Sequence, residues 1–209
     1  MALDFTGIPA RIVTDRQIAL PASLLAIGAF DGVHRGHQAL IRTMVAEARA
    51  AQLPAVVWTF DPPPKVHFGR AAQLLPLPEK LSRIAALGPD WIVVASFTAA
   101  YARRSPAAFL ADLARIGPQQ IHVGADFRFG ARQQGDVALL AERFPVALAP
   151  PTCCAAGETI SSSRIRALQA AGQRDEATRL LAPPPALMAL GAALLTHDIR
   201  HREDDHVWI

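Results

Sequence analysis

The sequence predicts an α/β fold: a mostly parallel five-stranded sheet with helices on both faces. Three observations carry this. Short apolar runs alternate with amphipathic stretches of helical period, the pattern of strand–helix–strand units. Gly, Pro and Ser punctuate the boundaries between them. Three polar loops each follow an apolar run, and in a parallel sheet all such loops open on the carboxyl edge, where ligands bind. The 209 residues suffice for one such domain, expected over 1–183, with a short appendage over 184–209.

Taken in order, Arg11, Ile12 and Val13 form a possible short strand within an entry segment. Leu24 to Phe30 is a buried strand. Leu40, Ile41, Met44, Val45 and Ala48 then recur on one helical face. Ala55 to Phe60 is a second strand, ending at Asp61-Pro62-Pro63-Pro64, where neither a strand nor a smooth helix start is expected. A long loop follows to about Pro78, and its length hints at binding. Leu81, Ile84 and Leu87 mark a helix stopped at Gly88-Pro89. Trp91 to Phe97 is the third strand. Ser105-Pro106 is an N-cap followed by proline at the first helical position, with Phe109, Leu110, Leu113 and Ile116 as the buried face. Ile121 to Gly124 and Pro145 to Ala149 are the last strands, separated by a polar loop and a helix over about 137–143. Helices after Ser163 and over about 174–181 close the unit, and 186–195 reads as a short apolar helix before a polar tail.

Composition narrows the function classes. At 51% hydrophobic and 19% charged, this is an ordinary globular chain. The net charge of +3 is mild, and no basic run interleaved with aromatics occurs, so no nucleic-acid surface is expected. The only cysteines, Cys153 and Cys154, are adjacent, which suits a reducing compartment. The amino terminus lacks a cationic start with an apolar core, and 186–195 is too short to span a bilayer. A cytoplasmic protein without membrane partners is expected. The tail's His197, His201 and His206 match no metal-site spacing.

The chemistry concentrates between the first strand and its helix. Gly28, Asp31, Gly32, His34, Gly36 and His37 fill a loop that feeds a helix start, where free N–H groups and the helix dipole favour phosphate. His34 and His37, three residues apart, can face one anion if the first helical turn begins there. The His-x-Gly-His spacing resembles the signature of nucleotidyltransferases. Alone it is also compatible with two surface histidines.

Four motifs in order make the resemblance narrower: GAFDGVHRGH at 28–37, TFDPPP at 59–64, VGADFRFGARQQGD at 123–136 and ISSSRIRALQAAGQRDEATRLL at 160–181. Together they resemble the adenylyltransferase module of the bacterial FAD synthetase family, the bifunctional riboflavin kinase/FMN adenylyltransferases. The resemblance implies a Rossmann-like nucleotidyltransferase fold and the reaction of FMN with ATP and Mg²⁺ to give FAD and pyrophosphate. It implies catalytic roles for His34, His37 and Arg166. It implies ATP contacts from Gly28, Phe30, Asp31, Gly32, Gly36, Gly124, Asp126, Ser161, Ser162 and Ser163. It implies flavin contacts from Phe60, Pro62, Pro64, Phe68 and Phe129. Metal ligands are not assigned.

Two departures stand out. Pro63 occupies the place of the family's usual histidine, and Ser163 that of a threonine. The family's kinase domain has no counterpart in 184–209, so FAD from FMN but no FMN from riboflavin is expected, with a separate riboflavin kinase in the same cell. Two alternatives remain: transfer to another phosphorylated acceptor, such as nicotinamide mononucleotide or phosphopantetheine, and a non-catalytic flavin- or nucleotide-binding regulator. An aminoacyl-tRNA synthetase is disfavoured, because the chain is short and has no lysine-rich KMSKS-type loop.

Overall fold

Six strands, not five, build the sheet. The computed structural model describes residues 10–184; the expected helix over 186–195 and the tail lie outside the described residues. In chain order the elements are β1 (Arg11–Thr14), β2 (Ser23–Ile27), α1 (Arg35–Ala51), β3 (Ala55–Asp61), α2 (Pro64–His67), α3 (Leu77–Ala85) and β4 (Trp91–Ser96). Then come α4 (Ala99–Ala102), α5 (Pro106–Ala114), β5 (Pro118–Gly124), β6 (Arg128–Phe129), β7 (Gly135–Asp136), α6 (Val137–Ala141), β8 (Val146–Ala149), α7 (Ser162–Ala170) and α8 (Arg174–Leu180).

The main sheet runs β1-β4-β3-β2-β5-β8, with every neighbouring pair parallel. Strands β6 and β7 form a separate antiparallel hairpin. The additional strand is β1, which pairs with β4 at the sheet edge. Its half-exposed residues carry too weak an apolar signal to be read with certainty from three letters.

Chain progression reverses at β2. From β2 the chain steps through β3 to β4, then returns to lay β5 on the other side of β2. The crevice beyond the carboxyl ends of β2 and β5 is therefore the topological switch point, where open α/β sheets hold ligands.

Helices cover both faces, as the alternation predicts. One face packs Leu24, Ala26, Ala55, Val57 and Ile92 beneath Ile41 and Met44 of α1 and Leu81 and Ile84 of α3. The other packs Leu25, Ile27, Val56, Trp58, Val93 and Ile121 beneath Phe109 and Leu113 of α5 and Leu140 of α6. A smaller cluster of Ile160, Ile165, Ala177 and Leu180 joins α7 to α8. Among the described residues no helix is long and apolar enough to cross a membrane.

Two local expectations change. The run Asp61-Pro62-Pro63-Pro64 does start a helix: Pro63 caps α2 and Pro64 is its first residue. Proline suits that position, because its fixed φ is already helical and the missing N–H would have had no partner. Strand β2 also stops at Ile27, not Phe30, because Phe30 turns to φ 46°. Ser105 caps α5 as predicted, its Oγ accepting from the Ala108 N–H at 3.2 Å.

The fully buried Ile41 lies between α1 and the sheet. Ile41→Ala should cost about 2–5 kcal/mol in urea unfolding, the transfer term plus the cavity term.

Candidate active site

The loop between β2 and α1 departs from ordinary backbone. Phe30 and Val33 both have positive φ, 46° and 41°, which is costly for an aromatic and more so for a β-branched residue. Both side chains are buried, at 1% and 0% exposure, so tertiary packing holds the conformation. Gly28 is required beside them: a Cβ there would lie 2.8 Å from the Phe30 ring. Gly32, at φ +87°, turns the loop and is covered by Leu74 and Leu181.

The turn delivers His34 as the N-cap of α1. Its Nδ1 accepts from the His37 N–H at 3.4 Å. The two imidazoles stack with centroids 3.6 Å apart and planes 19° off parallel. Phe30 meets His37 edge-on at 5.3 Å. The helix start anticipated between the histidines is therefore present, with Gly36 in its first turn. Burial pushes the His34 pKa down to about 4. Burial, then the neighbouring His34 and Lys80, hold His37 well below its ordinary value. Both rings are neutral at pH 7. Since the His34 Nδ1 accepts, its proton resides on Nε2. The His37 Nδ1 is buried with no hydrogen-bond partner among the described residues.

Three serines at the α7 start have three separate jobs. Ser161 is the N-cap, its Oγ accepting from the Arg164 N–H at 3.2 Å. Ser162 Oγ donates to the Asp31 carbonyl at 2.8 Å. Ser163 Oγ lies 3.4 Å from Lys65 Nζ, linking α7 to α2. Arg166, one turn further on, donates through Nη2 to the Asp31 carboxylate and through Nε to the Ala72 carbonyl at 2.7 Å. Its Nη1 makes no hydrogen bond among the described residues. Asp31 also accepts from the Leu74 N–H at 3.0 Å. The geometry thus brings His34, His37, Asp31, Ser162 and Arg166 to one edge of the sheet. Gly124 ends β5 on that edge and Asp126 stands exposed just past it.

Next to this cluster lies a cleft of about 900 Å³. Phe60, Pro64, Phe68 and Phe129 line it, with Phe97, Tyr101 and Phe109. Pro62 is not among its lining residues, and Pro63 is buried. The aromatic floor is continuous: Phe60 meets Phe97 edge-on at 5.8 Å, and Phe109 lies 5.3 Å from Phe129. Arg70, Arg103, Arg104, Arg128 and Arg132 also line it. Two of these are committed, Arg104 to Asp112 and Arg128 to Asp136. Sequence reading overlooked Phe97, Tyr101 and the arginines. The same strand-end rule applied to a fourth loop, the one after β4, would have found the first two.

Among the described residues no group of three or more His, Cys, Asp and Glu is arranged to hold a metal ion. Cys153 and Cys154 are free thiols.

Comparison with known sequences gives a consistent answer. The FAD synthetase family model matches residues 17–164. A Geobacillus thermodenitrificans protein with the provisional name bifunctional riboflavin kinase/FMN adenylyltransferase is 47% identical over 170 residues, 81% of this chain and 95% of its own length. The Escherichia coli bifunctional riboflavin kinase/FMN adenylyltransferase is 36% identical over 78% of this chain, which spans only 55% of that relative. A Listeria monocytogenes FAD synthetase is 31% identical over 78% of this chain and 70% of its own. A solved structure described as a macrolide-efflux protein from Streptococcus pneumoniae superposes with a TM-score of 0.72 at 29% identity, covering 85% of this chain and 62% of that one.

The buried neutral His34 sets a pH dependence. In the unfolded chain it takes up its proton near pH 6.5, in the fold only near about 4. The unfolded state binds more protons across that window, so stability is lost as pH falls through it. His34 alone accounts for about 2 kcal/mol by about pH 5. His37 and His122, both lowered by burial first, add in the same direction. Urea unfolding at pH 7.5 and pH 5 should show the drop, and His34→Gln should reduce it.

Proposed function

Because the chain belongs to the FAD synthetase family, we propose that it transfers the adenylyl group of ATP to FMN, giving FAD and pyrophosphate. The observation that carries this reading is the stacked His34–His37 pair at the α1 N-terminus, beside an aromatic cleft sized for a flavin. The cleft holds the isoalloxazine ring on Phe60, Pro64, Phe68 and Phe129, because flat rings gain dispersion and burial on rigid apolar walls. The triphosphate lies over the α1 and α7 starts.

An oxygen of the FMN phosphate attacks the α-phosphorus in line. The bond to the β-phosphate bridging oxygen breaks, and pyrophosphate leaves with the electron pair. The reaction brings two anions together, so the protein's work is positioning and charge stabilisation. His34, neutral with its proton on Nε2, and His37 donate N–H groups toward the phosphoryl oxygens, which gain charge in the transition state. Free N–H groups of the helix starts add to this. Arg166 presents Nη1 to the β- and γ-phosphates while Asp31 and Ala72 fix the plane of its guanidinium, a geometry suited to phosphate. The hydroxyls of Ser161 and Ser163 and the backbone N–H of Ser162 complete the phosphate cradle at α7, while the Ser162 hydroxyl holds the Asp31 carbonyl, and Gly28, Gly32, Gly36, Gly124 and Asp126 border the nucleotide.

Mg²⁺ fits as a companion of the nucleotide. It takes most of its ligands from phosphates and water and needs only one or two carboxylates. The exposed Asp126 would supply one at that edge. Bound there, the ion would neutralise phosphate charge. We propose that residues 17–164, which the family model matches, carry adenylyl transfer and no phosphorylation of riboflavin. The family match over 17–164 supports only the transferase half.

Incubation with Mg²⁺-ATP and FMN should yield FAD by mass and chromatography. Riboflavin and ATP should yield no FMN. Turnover of nicotinamide mononucleotide without turnover of FMN would overturn the reading. His37→Ala should lower kcat by roughly 10²–10³, about 2.7–4 kcal/mol, with little change in FMN affinity. Arg166→Ala should act mainly on KM for ATP, because it grips phosphates already present in the ground state.

A further inference from the structure

Lys80 is the one lysine among the described residues with no exposed surface. It belongs to α3, the crossover from β3 to β4, and sequence reading gave it no role. Burying an ammonium costs several kcal/mol unless the charge is met by partners. Its position explains why the charge is kept.

Strands β2 and β3 pair in parallel as far as the Gly28 N–H, which donates to the Trp58 carbonyl at 3.1 Å. Along a strand, alternate carbonyls point to the same neighbour. The next β3 carbonyl facing β2 is therefore that of Phe60. No β2 residue is left to meet it, because the chain has already turned away at Phe30. Lys80 Nζ donates to this carbonyl at 2.7 Å. The ammonium thus occupies the place of the next rung, in the crevice between the ends of β2 and β3. The Asp61-Pro62 corner begins one residue later.

We propose that Lys80 is a positioning residue of the transfer site: its ammonium replaces the missing rung under Phe60, fixes the Asp61–Pro62 corner, and places a buried positive charge next to the histidine pair. The proposal rests on the adenylyl-transfer reading and extends it to a residue on the far side of the loop. Burial pulls the Lys80 pKa down, and Asp61 at the end of β3 and Asp31 after β2 pull it back up. The groups facing His37 are His34 on its own helix and Lys80 across the crevice, and both act with burial to keep it neutral. The same charge favours a polyphosphate arriving over α1.

Three variants of the whole chain test this: Lys80→Gln, Lys80→Arg and, as control, His37→Ala. Lys80→Gln keeps a donor for the Phe60 carbonyl but loses the charge. It should melt cooperatively and bind FMN within about threefold of wild type by flavin fluorescence, while kcat falls between about tenfold and about a hundredfold. By NMR of labelled histidine, His37 should titrate at higher pH than in wild type. Lys80→Arg should titrate His37 as wild type does and recover most of the turnover.

A Lys80→Gln protein with kcat within about twofold of wild type, or with an unmoved His37 titration, overturns the proposal. Equal loss of FMN affinity and turnover overturns it as well, since Lys80 would then only hold the fold. Should Lys80→Gln not fold, Lys80→Arg decides, and a His37 titration that departs from wild type overturns the proposal. If His37→Ala keeps full turnover, the transfer reading itself fails, and the NMR titration, which needs no turnover, still judges Lys80.

Discussion

Asp31 leaves β2 with every acceptor occupied. Its carboxylate takes the Leu74 N–H and the Arg166 guanidinium, and its carbonyl takes the Ser162 hydroxyl. Three segments far apart in sequence, the β2–α1 loop, the loop before α3 and the α7 start, are held to one another by this residue. A buried carboxylate is costly when unpaired and rigidifying when all its partners are present. The groups proposed to face phosphate inherit their relative positions from it. Arg166 in particular is held in one orientation by Asp31 and Ala72, which on the proposed function reduces the conformational entropy lost when a nucleotide binds.

The loop that carries the histidines is held in the same way. Phe30 and Val33 adopt backbone angles that neither residue prefers, and their complete burial compensates. This strain turns the chain out of β2 early. It frees the end of β3 and opens the crevice into which Lys80 reaches. One local event, a strand ending at Ile27, thus produces the switch-point pocket, the cap position of His34 and the unpaired Phe60 carbonyl together.

The aromatic cleft and the histidine pair lie side by side and are joined by α2. Pro64 and His67 of that helix line the cleft, while Lys65 between them reaches Ser163 at the other site. Pro63 caps α2 and is buried. The segment from Asp61 to Pro76 thereby borders both the cleft and the histidine cluster, and on the proposed function it is a wall shared by flavin and nucleotide.

Hydrophobic period and punctuation were enough to locate the parallel sheet, its two helical layers and the cap at Ser105, because those are local properties of neighbouring residues, whereas the helix expected after Ser163 begins at Ser162, capped by Ser161. The His-x-Gly-His spacing and the strand-end rule located the loops of the candidate site for the same reason. The edge strand β1 and the helix α2 were less legible, since a four-residue element has little periodicity to read. Only the tertiary structure decided that Asp31 is the tie for Arg166, that Phe97 and Tyr101 share the cleft, and that Lys80 ends under Phe60. These are contacts between segments separated by twenty to more than a hundred residues. No local pattern encodes them, because they depend on which strand stops first and what is left unpaired when it does.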